Sequence, residues 1–225
     1  MLSELFYFLK HPKINDVPIS LNLKKSALLI IQSILLYIGV LALSTLLFLP
    51  LLKLLNLFPK FGLSHSNIPL SFKVLVLIPL FEEIIFRLPL RFSKQNFFLF
   101  LAGFNFLIFY HTYDTRILSI VSCIIAIIPY LKLISEPFDI RMKLIWEKHF
   151  FLLFYGFAFG FGLIHMSNFV NLNFEHYLLF PFIVSNQIAM GLIFGYVRVI
   201  NKNGFILCVL LHIIINFPFI LIAHL

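Results

Sequence analysis

The chain reads as an all-α, polytopic transmembrane helix bundle of about seven spans (six to eight), with its N-terminus in the cytoplasm. Three observations predict this class. Of 225 residues, 61% are hydrophobic and 12% charged, and the mean hydropathy is +1.04; soluble domains run at roughly 45–50% apolar and about 25% charged. The 30 phenylalanines exceed what a water-soluble fold of this size can cover, because much of its surface stays exposed. The apolar residues fall in long continuous runs, without the in–out alternation of a β-barrel. Lipid is the solvent that accepts such a surface, and a soluble or disordered chain is close to excluded.

Residues 1–12, MLSELFYFLKHP, place Leu2, Leu5, Phe6, Phe8 and Leu9 on one apolar side, which suits a short helix lying along the interface. The first long run follows Lys24 and Lys25. It is longer than the apolar region of a signal peptide, so an uncleaved anchor is expected. A spanning helix needs about 20 mainly apolar residues. Seven such segments are expected, at about 26–50, 67–87, 96–112, 117–134, 150–170, 177–199 and 204–224. Only the polar stretch His111–Arg116 separates the third from the fourth. The largest polar insert, Ser135–Lys148, is too small to fold alone, so residues 1–225 form a single integral membrane domain.

The formal net charge is +8. Lys and Arg fall mainly between apolar runs, which points to membrane topology and anionic lipid headgroups and not to nucleic acid. With the N-terminus inside, the inner segments hold Lys10, Lys13, Lys24, Lys25, Arg87, Arg91, Lys94, Lys132, Arg141, Lys143, Lys148, Arg198 and Lys202. The outer segments hold only Lys53, Lys60, Lys73 and Arg116. That asymmetry fits an odd number of spans with the C-terminus outside. Cys123 and Cys208 sit in apolar runs and read as small buried hydrophobes, not as a disulfide or metal set. The richness in Phe, Ile, Asn and Lys is the usage of an AT-rich genome and hints at a bacterial plasma membrane.

Ionisable groups inside spans are costly and therefore candidates for function. Three clusters stand out. In FEEIIFR, 81–87, Glu83 and Arg87 are four apart and share a helix face, where they can pair. Glu82 points about 100° away. A buried carboxylate with no cation of its own can serve as a base. The plainer alternative is two interfacial acids beside a snorkelling Arg. In YGFAFGFGLIH, 155–165, Gly156 and Gly160 have the small-xxx-small spacing that permits close helix contact. His165 closes the segment, and read alone it is an interfacial or hydrogen-bonded histidine. In HIIIN, 212–216, His212 and Asn216 are four apart among apolar neighbours, about 12 Å inside a span that starts near Gly204. An interhelical hydrogen-bond pair is the alternative there. Together the clusters supply a carboxylate base, a second acid–base group and two donors, which is what hydrolysis requires.

The ordered set EEIIFR (82–87), FGLIH (161–165) and HIIIN (212–216) resembles the EExxxR, FxxxH and HxxxN motifs of the CPBP family (CAAX protease and bacteriocin-processing, or Abi) of intramembrane proteases, related to the type II CAAX prenyl endopeptidases. The segment 190–216, MGLIFGYVRVINKNGFILCVLLHIIIN, is similar to the family's stretch before its last motif. The resemblance covers roughly 67–216. It implies that Glu82 activates the attacking water with His165, that His212 and Asn216 hold the oxyanion, and that Glu83 and Arg87 support Glu82. The substrate class it implies is a membrane-presented or lipidated peptide or protein. The long separation of the first two motifs departs from the family pattern and is read as an inserted helical hairpin at 96–134.

A metal-free glutamate mechanism is favoured, with no cofactor. In a zinc-dependent version Glu82, His165 and His212 would be the ligands, but there is no HExxH segment to bring two histidines onto one turn. A non-catalytic immunity or scaffold protein of the same fold is the other class. A transporter would need inverted repeats, and none is visible. Glu82 lies near the inner end of its expected span and His165 near the outer end. They meet only if the fifth span starts later than 150 or the second runs past Arg87.

Overall fold

The computed structural model describes residues 2–14, 19–57, 60–61, 73–113 and 136–222, and these are mostly helical. Helix α1, Leu2–Lys10, is not merely laid on a surface. Its Leu5 and Phe8 are buried, and the Phe8 ring meets Phe154 and Tyr196 edge-on at 5.1 and 5.3 Å. Phe6 and Tyr7 face outwards.

Helix α2, Leu23–Leu54, is longer than the expected span. Asn22 caps its start by accepting the Lys25 amide at 2.9 Å. At its end Asn56 turns left-handed (φ 55°), and the amides of Leu57 and Asn56 return to the carbonyls of Leu52 and Lys53. That pairing closes the orphan carbonyls of the last turn. Pro50 falls inside the helix. Only 11% of the most apolar stretch of α2 is buried within the protein, so its leucines and isoleucines project outwards on most sides. A surface of that kind matches lipid.

Helix α3, Ile78–Phe86, follows a π-helical turn at Lys73–Leu77 and has Pro79 in its first turn, where a missing amide costs nothing. Residues 67–72 of the expected span lie outside the described residues. A 3-10 turn, Leu88–Leu90, follows. Helix α4, Lys94–Tyr113, forms the first arm of the expected hairpin; the second arm, 117–134, lies outside the described residues, as does Cys123. The expected polar insert contains a helix of its own, α5, Glu136–Lys148. It is tied down by Trp146, which is buried and donates its indole N–H to the Pro89 carbonyl at 2.8 Å.

Helix α6, Phe150–Ile164, continues as a 3-10 turn, His165–Asn168. The two-residue strands β1, Lys60–Phe61, and β2, Phe169–Val170, pair antiparallel and join the segment after α2 to the segment after that turn. The expected span 177–199 is not one helix. It opens as α7, Phe174–Leu178, and α8, Phe180–Ile183, and becomes continuous only as α9, Ser185–Ile200. Pro181 has no amide to give to the preceding turn, and its ring crowds that turn's carbonyl. Helix α10, Gly204–Ile222, is the last of the described elements.

Helix α9 is the centre of the bundle and packs on α6, α10 and α2. Phe194, Val197 and Val199 on it are fully buried. The close approach to α6 does not use Gly156 and Gly160 as expected. A Cβ on Gly156 would meet nothing within 4 Å, and one on Gly160 would meet only the Phe86 ring. The contact uses Gly191 against Ala158, Gly195 against Phe154 and Gly162 against Ile188: a Cβ on Gly191 would come 2.9 Å from the Ala158 Cα, one on Gly195 2.7 Å from the Phe154 ring, and one on Gly162 2.5 Å from Ile188. The spacing of four was right, but the face was wrong, because positions two apart on a helix point about 200° away from each other.

By length and composition, two stretches among the described residues can each cross a membrane: Leu23–Leu54 and Phe150–Asn168. Gly204–Pro218 is a shorter apolar helix.

Candidate active site

Helix α3 ends against the last turn of α6, not beside its start. The Phe86 ring meets Phe161 at 5.4 Å, and the Arg87 guanidinium lies over the Phe161 ring at 3.8 Å. Phe161 is eleven residues beyond Phe150, about 16 Å along the helix. One turn back on α3 and one turn on along α6, Glu82 and His165 come within electrostatic reach of each other. Neither condition set from the sequence is met: α6 starts at Phe150 and α3 stops at Phe86. The convergence arises because the end of α3 docks on the last turn of its neighbour and not at that neighbour's start.

The polar centre joins α3 to α10. His212 Nδ1 lies 2.8 Å from Glu83 Oε1, and His212 Nε2 lies 3.3 Å from Glu82 Oε2. The Glu83–Arg87 pair expected from the spacing is present, with Arg87 Nε 3.4 Å from Glu83 Oε2. That contact is an ion pair without hydrogen-bond alignment, and the three guanidinium nitrogens have no hydrogen-bond partner among the described residues. The cation instead rests on the Phe161 face, with Phe194 5.4 Å away. A desolvated cation–π contact is worth about 2 kcal/mol. Arg87, Glu83 and His212 are fully buried, whereas the Glu82 side chain retains 23% exposure. Glu82 is thus the acid that a water or a substrate can reach.

Both nitrogens of His212 face carboxylate oxygens. If both acids are ionised, the ring must carry both protons to donate to each. The row Glu82, His212, Glu83, Arg87 then alternates in sign and sums to zero, which is how a charged cluster is tolerated out of water. His165 has a different commitment. Its Nδ1 lies 2.8 Å from the Phe161 carbonyl. A carbonyl only accepts, so Nδ1 carries the proton and the neutral ring keeps its lone pair on Nε2. The His165 ring stacks edge-on against Phe161 at 4.6 Å. Asn216 is half-buried, one turn beyond His212, and makes no side-chain hydrogen bond among the described residues.

Two further residues hold the site and carry no role in the sequence reading. Phe161 touches Phe86, Arg87, His165 and His212. Arg198, counted among the inner charges, is buried on α9 and donates to the carbonyls of Arg87 and Leu88 at 3.2 and 3.4 Å. It closes the end of α3 that carries both glutamates. Its position between Val197 and Val199 was the available signal, since a cation flanked by core valines needs a buried partner. Arg87 is likewise internal and not snorkelling. Cys208, buried on α10, donates to the Phe194 carbonyl at 3.1 Å.

As a metal set, Glu82 Oε2 and His212 Nε2 have a separation that suits two ligands each about 2.0–2.1 Å from one tetrahedral ion. No group of three His, Cys, Asp or Glu side chains among the described residues is placed to hold a metal ion together. Comparison of the chain with protein-family models, curated proteins and solved structures returned no match.

Proposed function

We propose that this protein is an intramembrane endopeptidase of the CPBP type, a bundle of about seven spans with its N-terminus inside, in a bacterial plasma membrane, acting on a membrane-presented or lipidated peptide or protein. The observation that carries the reading is the gathering of residues from three separate segments: Glu82 and Glu83 on α3 meet His212 on α10, and His165 at the end of α6 shares the Phe161 ring with His212. Buried ionisable groups gathered this way are unusual outside functional sites.

In the proposed reaction Glu82, the partly open acid, takes a proton from a water that the free Nε2 of His165 also holds. The water oxygen bonds to the scissile carbonyl carbon, and the negative charge moves to the carbonyl oxygen. Protonation removes the charge on Glu82 and with it the attraction for His212 Nε2–H. That donor is then released toward the oxyanion, beside the amide of Asn216. Collapse breaks the carbon–nitrogen bond. Glu82 returns its proton to the leaving amine. Glu83 and Arg87 keep His212 charged and oriented throughout.

Glu82→Gln and His165→Ala are expected to abolish cleavage of a membrane-presented peptide, by about 10²-fold or more, while the variants remain folded and extractable. Full activity in either variant overturns the site. A non-catalytic immunity or scaffold protein would retain its effect in cells with both substitutions. The 3.3 Å carboxylate–imidazole approach also supports a zinc-bound version with Glu82 and His212 as ligands. Activity lost on chelation and restored by zinc would establish it.

A further inference from the structure

Away from the polar cluster, two cavities lie along α2 and share Gln32. The first, about 730 Å³, is bounded by α1, the start of α2 and the end of α9. Leu28, Leu29 and Ile200 make its wall apolar, while Lys13 and Lys25 line it with cationic groups beside the His11 imidazole; Glu4 is the one carboxylate among its lining residues. Neither lysine has an ion pair with a described residue. The second cavity, about 680 Å³, is apolar beyond Gln32 and runs along α2 past Gly39 to Leu43, with Leu35 and Leu43 more than half exposed beside it. From Gln32 to Leu43 the helix rises about 16 Å, which is one leaflet of a hydrocarbon core about 30 Å thick.

A cationic chamber opening into an apolar channel one leaflet long matches a ligand with an anionic head and a hydrocarbon tail. We propose that this groove binds one anionic phospholipid of the cytoplasmic leaflet, its phosphate held by Lys13 and Lys25 and one acyl chain lying along α2 to Leu43. A zwitterionic head would bring its own cation against the lysines and fit less well. Gly39 keeps the channel open, since a Cβ there would meet no protein atom within 4 Å. The assignment rests on α2 spanning the membrane with its N-terminal end inside and not on the peptidase reading.

The test is lipid retention. The full chain, reconstituted in vesicles of equal phosphatidylglycerol and phosphatidylcholine, is extracted and its bound lipid counted by native mass spectrometry. Wild type should retain phosphatidylglycerol in preference. Lys13→Gln with Lys25→Gln should lower that preference about thirtyfold. Gly39→Trp should displace both lipids without loss of fold, because its Cβ has open space and its indole occupies the channel. The proposal is overturned by equal retention of both lipids by wild type, by an unchanged preference in the lysine variant, or by undiminished retention in Gly39→Trp. Displacement of the lipid by excess inorganic phosphate also overturns it, because the head alone would then account for binding. Peptide cleavage is not the readout, so a failure here is distinct from a failure of the proposed enzyme.

Discussion

At the polar centre, two adjacent glutamates have opposite situations. Glu83 is fully buried between His212 and Arg87, and Glu82 is partly open and approaches His212 from the other side of the ring. Removing one member of a buried ionic set leaves the others uncompensated, at a cost of about 3–5 kcal/mol. Glu83→Ala and Arg87→Ala should therefore lower stability by about that amount, read as loss of folded, monodisperse protein on thermal challenge. Glu82→Gln should not. Asn216→Ala should preserve stability and reduce cleavage by about 10²–10³-fold, the effect of losing one oxyanion donor. A destabilised Asn216→Ala protein with intact turnover would assign Asn216 to packing instead.

Between helices, fit is decided by a few small residues and a few caps. The α6–α9 contact depends on Gly191 against Ala158 and on Gly162 against Ile188. Gly191→Val forces the helices apart, because its Cβ would meet backbone, which cannot yield as a flexible side chain can. Overpacking of this kind costs about 1–3 kcal/mol or more. Gly156→Ala, on the open face, should be neutral or slightly stabilising, since Ala is the better helix former. The comparison of the two by thermal unfolding in detergent separates the faces. Trp146 is the only tryptophan, and its bond to Pro89 makes it a reporter for α5. Its emission should be blue-shifted and poorly quenched by acrylamide, and it should become accessible if α5 undocks.

For the molecule as a whole, the proposed orientation rests on the asymmetry of Lys and Arg along the chain. A cysteine at Lys13 should react with a membrane-impermeant maleimide only from the cytoplasmic side, and one at Glu175 only from the opposite side. Cys208 is buried and should stay silent. The reverse pattern would overturn the proposed topology. The orientation also decides which leaflet supplies the lipid for the α2 groove.

The helical class, the stretches apolar enough to cross a membrane and the polar residues that meet between α3 and α10 could be read from composition and spacing, because long apolar runs make every internal charge conspicuous. The Glu83–Arg87 pair followed from helix geometry alone. Other features could not be read. The face of α6 that meets α9, the role of Arg198 and the sharing of His212 by both glutamates each depend on where one helix stops against another. Helical periodicity states which residues share a face. It carries no information on what that face meets or at what height, and those are outcomes of packing among segments far apart in the chain.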